Sequence, residues 1–462
     1  MRTLSRGIPP SHERAHMGSA PRRAGGGWFT LFTLAWLAIW TVQLTPVQLL
    51  LPLQLNTPDD ASGWIGGVVS SGVIMAIGGL VAIIAGPVSG ALSDRTRSKW
   101  GRRRPWALAG VWLMALCLVA LASATSVWAV ALAWVGVSVG VAVASAAFTA
   151  LIADQLREQR GAASAAVSSS QALGIIVGVG AVVLLGLGVA DAYLVLAGFI
   201  AVVGTVATAL LPDPLPARSA EPAGSASERE AVASAPARRF TAFRDRNFAW
   251  MLGARLVVNI GNALGTALLL FFILYGLHED PGTAEDRLLL LILVYTVFVV
   301  GASIWSGRIS DRSGRRKGIV VGAAILQGLA AALILAVPTF ELTMVAAAFL
   351  GVGYGAFSSV GLALATDLLA NERDHARDLG VVNVAMALGQ LLGPLIGAGL
   401  VALVGGFWLV FAVSAVLSII GGLMHLPIVA ARNRPSGGEP CVAWGRSAPH
   451  PDRITWICHH VP

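Results

Sequence analysis

Charge is scarce in this chain: only 12% of its 462 residues are Asp, Glu, Lys or Arg, against about 25% in a soluble domain. Cysteine is scarcer still. There are three: Cys117 inside an apolar run, and Cys441 and Cys458 near the C-terminus, a spacing that supports neither a disulfide framework nor a metal site. No phosphate-binding loop or zinc motif occurs, and no cluster of acids or histidines falls inside any apolar run. Gly136-Val137-Ser138-Val139-Gly140 matches the hydrolase elbow G-x-S-x-G. It lies within an apolar helix, however, with no preceding strand and no acid or histidine in the same run, so the match carries no chemistry. These absences exclude an enzyme and leave no expected cofactor. The net charge of +8 would suit nucleic acid, but the basic residues are dispersed over short loops, so no nucleic-acid partner is expected.

What the sequence has instead is long apolar runs, in a chain 56% hydrophobic. Crossing a hydrocarbon core of about 30 Å takes about 20 residues, and runs of that length without period-2 alternation read as helices rather than barrel strands. Spans are expected at roughly 28–55, 63–92, 105–125, 127–152, 163–188 and 190–211, then at 248–277, 287–308, 317–338, 341–368, 378–403 and 406–428. The fold class predicted is an all-α membrane protein of twelve transmembrane helices in two pseudo-symmetric six-helix bundles. The divisions are an N-tail (1–27), a first bundle (28–212), a polar linker (213–247), a second bundle (248–428) and a C-tail (429–462). The N-tail holds five Lys and Arg, the loops after spans 2, 4, 6, 8 and 10 hold six, two, six, five and two, and the C-tail four. Thirty of the 32 thus fall on one side, which predicts a multi-pass protein of the cell (inner) membrane with both termini and the linker cytoplasmic.

The two halves repeat one another. Ser93-Asp94-Arg95 matches Ser310-Asp311-Arg312, the Ala-Leu of Ala150-Leu151 matches that of Ala363-Leu364 ahead of Asp154 and Asp367, and Ala172-Leu173-Gly174 matches Ala387-Leu388-Gly389. The offsets of 217, 213 and 215 residues fall at equivalent topological positions, as a duplicated six-helix unit requires. Parallel repeats of this kind are a transporter architecture.

The clearest motif runs from Gly307 through Asp311, Arg312, Gly314 and Arg315 to Arg316, fitting G-x-x-x-D-R-x-G-R-R in the loop after span 8. The first-half copy, Gly90 through Asp94, Arg95, Gly101 and Arg102, carries five residues between D-R and G-R-R where the second has one. On these residues the chain, from about Trp28 to Leu426, resembles the major facilitator superfamily. The expanded loop S-D-R-T-R-S-K-W-G-R-R-R-P-W looks like that of the glycoside–pentoside–hexuronide and sucrose-type sugar transporters. The resemblance implies alternating access, with Asp94 and Asp311 closing the cytoplasmic side across the halves. It also implies that Asp154, Arg160, Asp367 and Arg377 belong to an inter-half charge network. One departure matters. All 24 acids lie in loops, tails or span ends, whereas cation-coupled sugar symporters of the melibiose-permease type carry acids inside first-half helices, so weak sodium dependence is expected.

Polar stripes mark candidate substrate positions. On a 100° helical wheel, Arg255, Asn259, Asn262 and Thr266 fall within about 60° of one another, as do Trp36, Trp40, Gln43, Val47 and Gln54. Trp40, Gln43, Asn259, Asn262, Tyr354 and Asn383 are the expected substrate-binding residues, with Trp40 and Gln43 facing Asn259 and Asn262 across the halves. Interhelical hydrogen bonding is the competing reading of the amides, and the resemblance assigns Arg255 a structural role near the cytoplasmic side. The pairs Gly86/Gly90, Gly174/Gly178, Gly351/Gly355 and Gly389/Gly393/Gly397 read as close helix packing. The function expected is a secondary active or facilitative transporter of a sugar or similar polar solute; an efflux transporter for amphipathic compounds is the alternative, and a non-transporting receptor the third reading. The partners are a small-molecule substrate, the lipid bilayer and, if transport is coupled, a proton or cation. The chain is expected to act as a monomer.

Overall fold

A backbone surrounded by hydrocarbon must satisfy its own hydrogen bonds, and a helix does so locally. The computed structural model describes residues 24–56, 63–96, 98, 100–156, 159–213, 246–368 and 375–428, with side chains for all of these except 153, 160, 366–368 and 375–383. They form α1 (Gly26–Leu55), α2 (Gly63–Arg95), α3 (Arg104–Ser123), α4 (Val127–Gln155), α5 (Arg160–Leu184) and α6 (Val189–Leu210). The second half holds α7 (Arg246–Ala267 with Leu269–Gly276), α8 (Pro281–Ser313), α9 (Arg316–Ala336), α10 (Phe340–Leu368), α11 (His375–Val404) and α12 (Trp408–Leu423). Ten of these are long and apolar enough to cross a membrane, and the bent pair forming α7 makes an eleventh; α12 is a shorter apolar helix. The protein is an all-α, multi-pass membrane protein.

Local chemistry sets the boundaries. The Ser126 hydroxyl caps α4 by accepting from the Ala129 N–H at 3.2 Å. Pro281 opens α8, where its missing N–H costs nothing. Gly314 closes α8 at φ 64°, a left-handed turn that favours glycine, its N–H donating to the Ser310 carbonyl at 2.9 Å. Within α1, Pro46 removes a ladder donor, and the helix widens to π geometry over Pro46–Leu50.

The seventh span departs from the expected continuous run over 248–277. It breaks at Leu268 (φ −110°, ψ 22°) and bends by 46°. No proline is present. The Thr266 hydroxyl instead donates back to the Asn262 carbonyl at 3.1 Å, a competition with the ladder that bends helices. The far segment then ends in a π turn, Phe272–Gly276.

The duplication is visible in the packing. In the first half α1 lies on α5, α2 on α4, and α3 on α4 and α6; in the second, α7 lies on α11, α8 on α10, and α9 on α10 and α12. Between the halves α2 meets α11 and α5 meets α8, a pair of contacts the duplication exchanges. Glycines make several of these approaches close. Gly174 of α5 faces Trp40 and Thr41 of α1, and its equivalent, Gly389 of α11, faces Asn259 and Ile260 of α7. Gly351 and Gly355 of α10 lie against the α8 backbone. Gly86 and Gly90 do not show the expected packing among the described residues, none of which approaches within 4 Å of the space their Cβ atoms would fill. The absence of a neighbour at this end of α2 bears on the site.

Candidate functional site

The helices alternate between two ends of the bundle. One, here called the linker end, carries residues 24, 95–104, 155–160, 211–213, 246, 313–316 and 428. The opposite, far end carries residues 56 and 63 and the turns at 123–127, 185–189, 277–281, 336–340 and 404–408.

At the linker end the repeated motifs build ion pairs inside each half. Arg103, only 5% exposed, reaches Asp94 at 2.6 Å, Asp154 at 3.0 Å and the Ser93 hydroxyl at 3.0 Å. Arg102 reaches Asp154 at 3.3 Å and Asp94 at 3.7 Å. Asp213 accepts from the backbone N–H groups of Arg103 and Arg104, both at 2.8 Å. A carboxylate placed against helix N-terminal amides is stabilised by their exposed donors and by the helix dipole. Gly101, at φ 106°, turns the loop directly beside that carboxylate. In the second half Asp311 meets Arg316 at 3.8 Å, Arg316 donates to the Ala363 carbonyl at 3.1 Å, and Gly307 of α8 lies against Ser359 of α10. Arg95, Arg312 and Arg315 are exposed.

Among the described residues, Asp94, Asp154 and Asp311 pair within their own halves. Asp94 and Asp311 are 60% and 74% exposed. Arg160 opens α5, Asp367 lies in the last turn of α10 and Arg377 in the first turn of α11; their side chains, with that of Asn383, lie outside the described residues.

The two halves meet from mid-span to the far end. Gly79 of α2 faces Leu391 of α11, and Gly72 faces Pro394 and Ala398. Val68 of α2 is buried in an apolar cluster otherwise drawn from the second half, while Leu270, Ile273, Leu288 and Leu291 join the first half's core. At the far end itself the Tyr275 hydroxyl donates to Asn56 Oδ1 at 2.6 Å. Trp64 stacks on Tyr275 at 4.7 Å and on Phe407 at 5.5 Å. Toward the linker end the second half's clusters, one around Val258, Phe357 and Leu364 and one around Phe248 and Ile428, contain only its own residues. Nothing lies within 4 Å of Gly86, Gly90, Gly161 or Gly301 in the position a Cβ would take. Among the described residues the bundle is closed at the far end and parted at the linker end.

Between the halves the predicted substrate residues divide. Trp40 is half-buried beside Trp36, with ring centroids 6.1 Å apart, and both indole N–H groups are buried without an acceptor. Gln43 is half-buried, with its amide uncommitted among the described residues. Gln54, from the same stripe, instead donates to the Leu121 and Ala124 carbonyls at 2.9 and 3.1 Å, capping α3. Asn262 is committed within its own half, donating to Gln327 of α9 at 3.2 Å. Asn259 is buried with an unpaired amide nitrogen. The Tyr354 ring lies 6.3 Å from that of Tyr295. On α4, Trp134 and Ser138 cover Gly78 of α2, and the Trp134 indole N–H is also unpaired.

Sequence reasoning passed over Gln327 and Tyr295. A lone amide in the apolar run of α9 was the available signal for the first. Arg255 is 5% exposed; its guanidinium lies 5.4 Å from the centroid of the Phe357 ring, and Nε and Nη1 make no hydrogen bond.

Comparison with known proteins places this arrangement. Residues 29–284 and 255–446 match the Major Facilitator Superfamily. A triacylglyceride transporter of Mycolicibacterium smegmatis is 35% identical over 185 residues, 39% of this chain and 32% of that protein. The multidrug resistance protein MdtL of Klebsiella pneumoniae is 32% identical over 120 residues, 26% of this chain and 30% of that protein. The matched stretches thus span about a third of those relatives' length. Two crystal structures share the fold at 14% identity: a nucleoside transporter, NupG, in a D323A mutant (TM-score 0.66, covering 87% of this chain and 98% of that one) and a D-xylose–proton symporter (TM-score 0.65, 87% and 97%).

Proposed function

This chain belongs to the Major Facilitator Superfamily, and we propose that it carries an amphipathic small molecule across the membrane by alternating access, with the linker end facing the cytoplasm. The observation that carries the reading is the asymmetry of contact between the halves. Asn56, Trp64, Tyr275 and Phe407 seal the far end, while the Asp94 and Asp311 motifs remain apart at the linker end. A carrier open to one side needs that arrangement. In the opposite state Asp94 and Asp311, half or more exposed here, would gain partners across the halves.

Two features favour an amphipathic substrate over a sugar. The surfaces toward the interface are rich in aromatic and apolar groups, and the best-placed amide, Asn262, is already paired with Gln327. The named activities of the two relatives, triacylglyceride and multidrug transport, point the same way. The sugar reading keeps one specific support, the uncommitted Trp40 and Gln43 of α1. Reconstitution into proteoliposomes separates them: saturable flux of amphipathic dyes with no flux of a radiolabelled sugar panel is expected, and saturable sugar uptake without dye flux would refute the reading.

A further inference from the structure

We infer that Arg255 is an oxyanion-binding residue of the substrate site, so that the transported molecule carries a carboxylate or phosphate group; this rests on the transport reading above. A guanidinium cannot be deprotonated in a protein, so Arg255 holds a full charge inside the bundle. Among the described residues, its surroundings do not answer that charge. Phe357 offers a ring face, Gly361 presents backbone beside Nη1, and Tyr354 and His425 lie within electrostatic reach. None of these is an acid. The described carboxylates in ion pairs, Asp94, Asp154, Glu279 and Asp311, are all engaged at the ends of the bundle, and Asp213 is held by the α3 amides.

A second donor stands on the same face of α7. Asn259 is one turn farther along, buried, with Nδ2 unpaired. In the first half the indole N–H groups of Trp36, Trp40 and Trp134 are likewise buried and unpaired among the described residues, and an indole N–H can only donate. The unused nitrogens of Arg255 and Asn259 thus present donors on one face of α7, one of them cationic. A sugar hydroxyl brings donors and acceptors together, and an organic cation brings positive charge; neither completes this set. An oxyanion supplies acceptors and the missing counter-charge, and guanidinium–oxyanion pairs are among the strongest hydrogen-bonded contacts available. Gly361 lets the guanidinium lie directly against α10: a Cβ there would stand 2.7 Å from Nη1 and displace it.

The test uses the full chain in lipid nanodiscs and calorimetric binding of three oxyanions: inorganic phosphate, glucose 6-phosphate and octanoate. Glucose and octanol serve as neutral partners. Wild type should bind at least one oxyanion, and which one separates a free anion, a phosphorylated sugar and an acyl carboxylate. Arg255→Gln should weaken that binding by about tenfold or more, Arg255→Lys by less, with the neutral partners unaffected. Should Arg255→Gln fail to fold, Gly361→Ala and Asn259→Ala are expected to reproduce the selective loss. Equal oxyanion affinity in wild type and variants, or no binding of any of the three, overturns the inference. Dye flux in proteoliposomes reads the transport proposal separately: flux without oxyanion binding sinks the anion site alone.

Discussion

The far-end seal allows one hydrogen bond to be weighed against a conformational equilibrium. Tyr275→Phe removes the hydroxyl that donates to Asn56 Oδ1 at 2.6 Å but keeps the ring stacked on Trp64 at 4.7 Å and 13°. A half-buried neutral hydrogen bond contributes about 1 kcal/mol net. The contact exists only while the far end is closed, so its loss should shift the closed-to-open ratio by about fivefold. Asn56→Ala removes the same bond from the other side. The double variant should then shift the ratio no further than either single change, since both delete one interaction. Trp64→Ala removes two stacked contacts worth about 0.5–1.5 kcal/mol each beyond their burial, a shift of up to about two orders of magnitude. Spin labels at exposed far-end loop positions Thr125 and Thr339, in a background with Cys117, Cys441 and Cys458 changed to Ser, would read the populations as pulsed electron paramagnetic resonance distance distributions. A longer-distance component should grow in the order Tyr275→Phe, then Trp64→Ala. An unchanged distribution in both, or additive shifts in the Tyr275→Phe/Asn56→Ala pair, would refute the argument that these residues seal the far end.

Other outcomes follow from the linker end and from α1. Arg103→Gln should lower the thermal midpoint in detergent more than Arg102→Gln does, because the Arg103 guanidinium is buried between two carboxylates and a hydroxyl, whereas Arg102 is a third exposed; equal midpoints would contradict the ranking. Gly101→Ala should destabilise by about 1–3 kcal/mol, since φ 106° strains any side chain and the new methyl would meet Asp213; an unchanged unfolding profile would count against that geometry. Gln43→Ala should weaken substrate binding by about 1–3 kcal/mol at unchanged thermal stability, while Gln54→Ala should do the reverse, and the opposite pattern would reassign the α1 stripe. Transport should depend weakly on sodium, because no described acid lies in the interior of a span; a steep dependence of initial rate would require a site of carbonyls and hydroxyls.

Much of the fold could be read from the sequence because the bilayer leaves few options. Trp28 to Leu55 reads as a helix on length and apolarity alone, and the S-D-R repeats announced the duplication that the packing of the two halves repeats. What could not be read is instructive. The break at Leu268 has no proline and arises from Thr266 returning its hydroxyl to Asn262, an effect of rotamer rather than composition. Asp213 reads as the first residue of a polar linker, yet it is held by two α3 amides, a tertiary contact across 110 positions. Gly86 and Gly90 have the spacing of a packing face but meet none of the described residues, because spacing specifies a face and not what lies opposite. Asn262 and Gln327 show the same limit: each reads as a free amide until the neighbour is known.

The glycine contact of α2 with α11 has a mechanical consequence. Gly72, set against Pro394 and Ala398, has no side chain to interlock with its partner, so the two helices can roll over one another at that point like a bearing. From Gly72 to Arg95 is 23 residues of unbroken helix, a lever arm of about 35 Å at 1.5 Å per residue. A tilt of about 10° at the bearing would therefore swing the linker-end tip by about 6 Å on that arm, enough to carry Asp94 from solvent to a partner on the other half. Leverage, rather than any large local rearrangement, would set the amplitude of the motion, and a bulky residue at position 72 would act as a pawl that stops it.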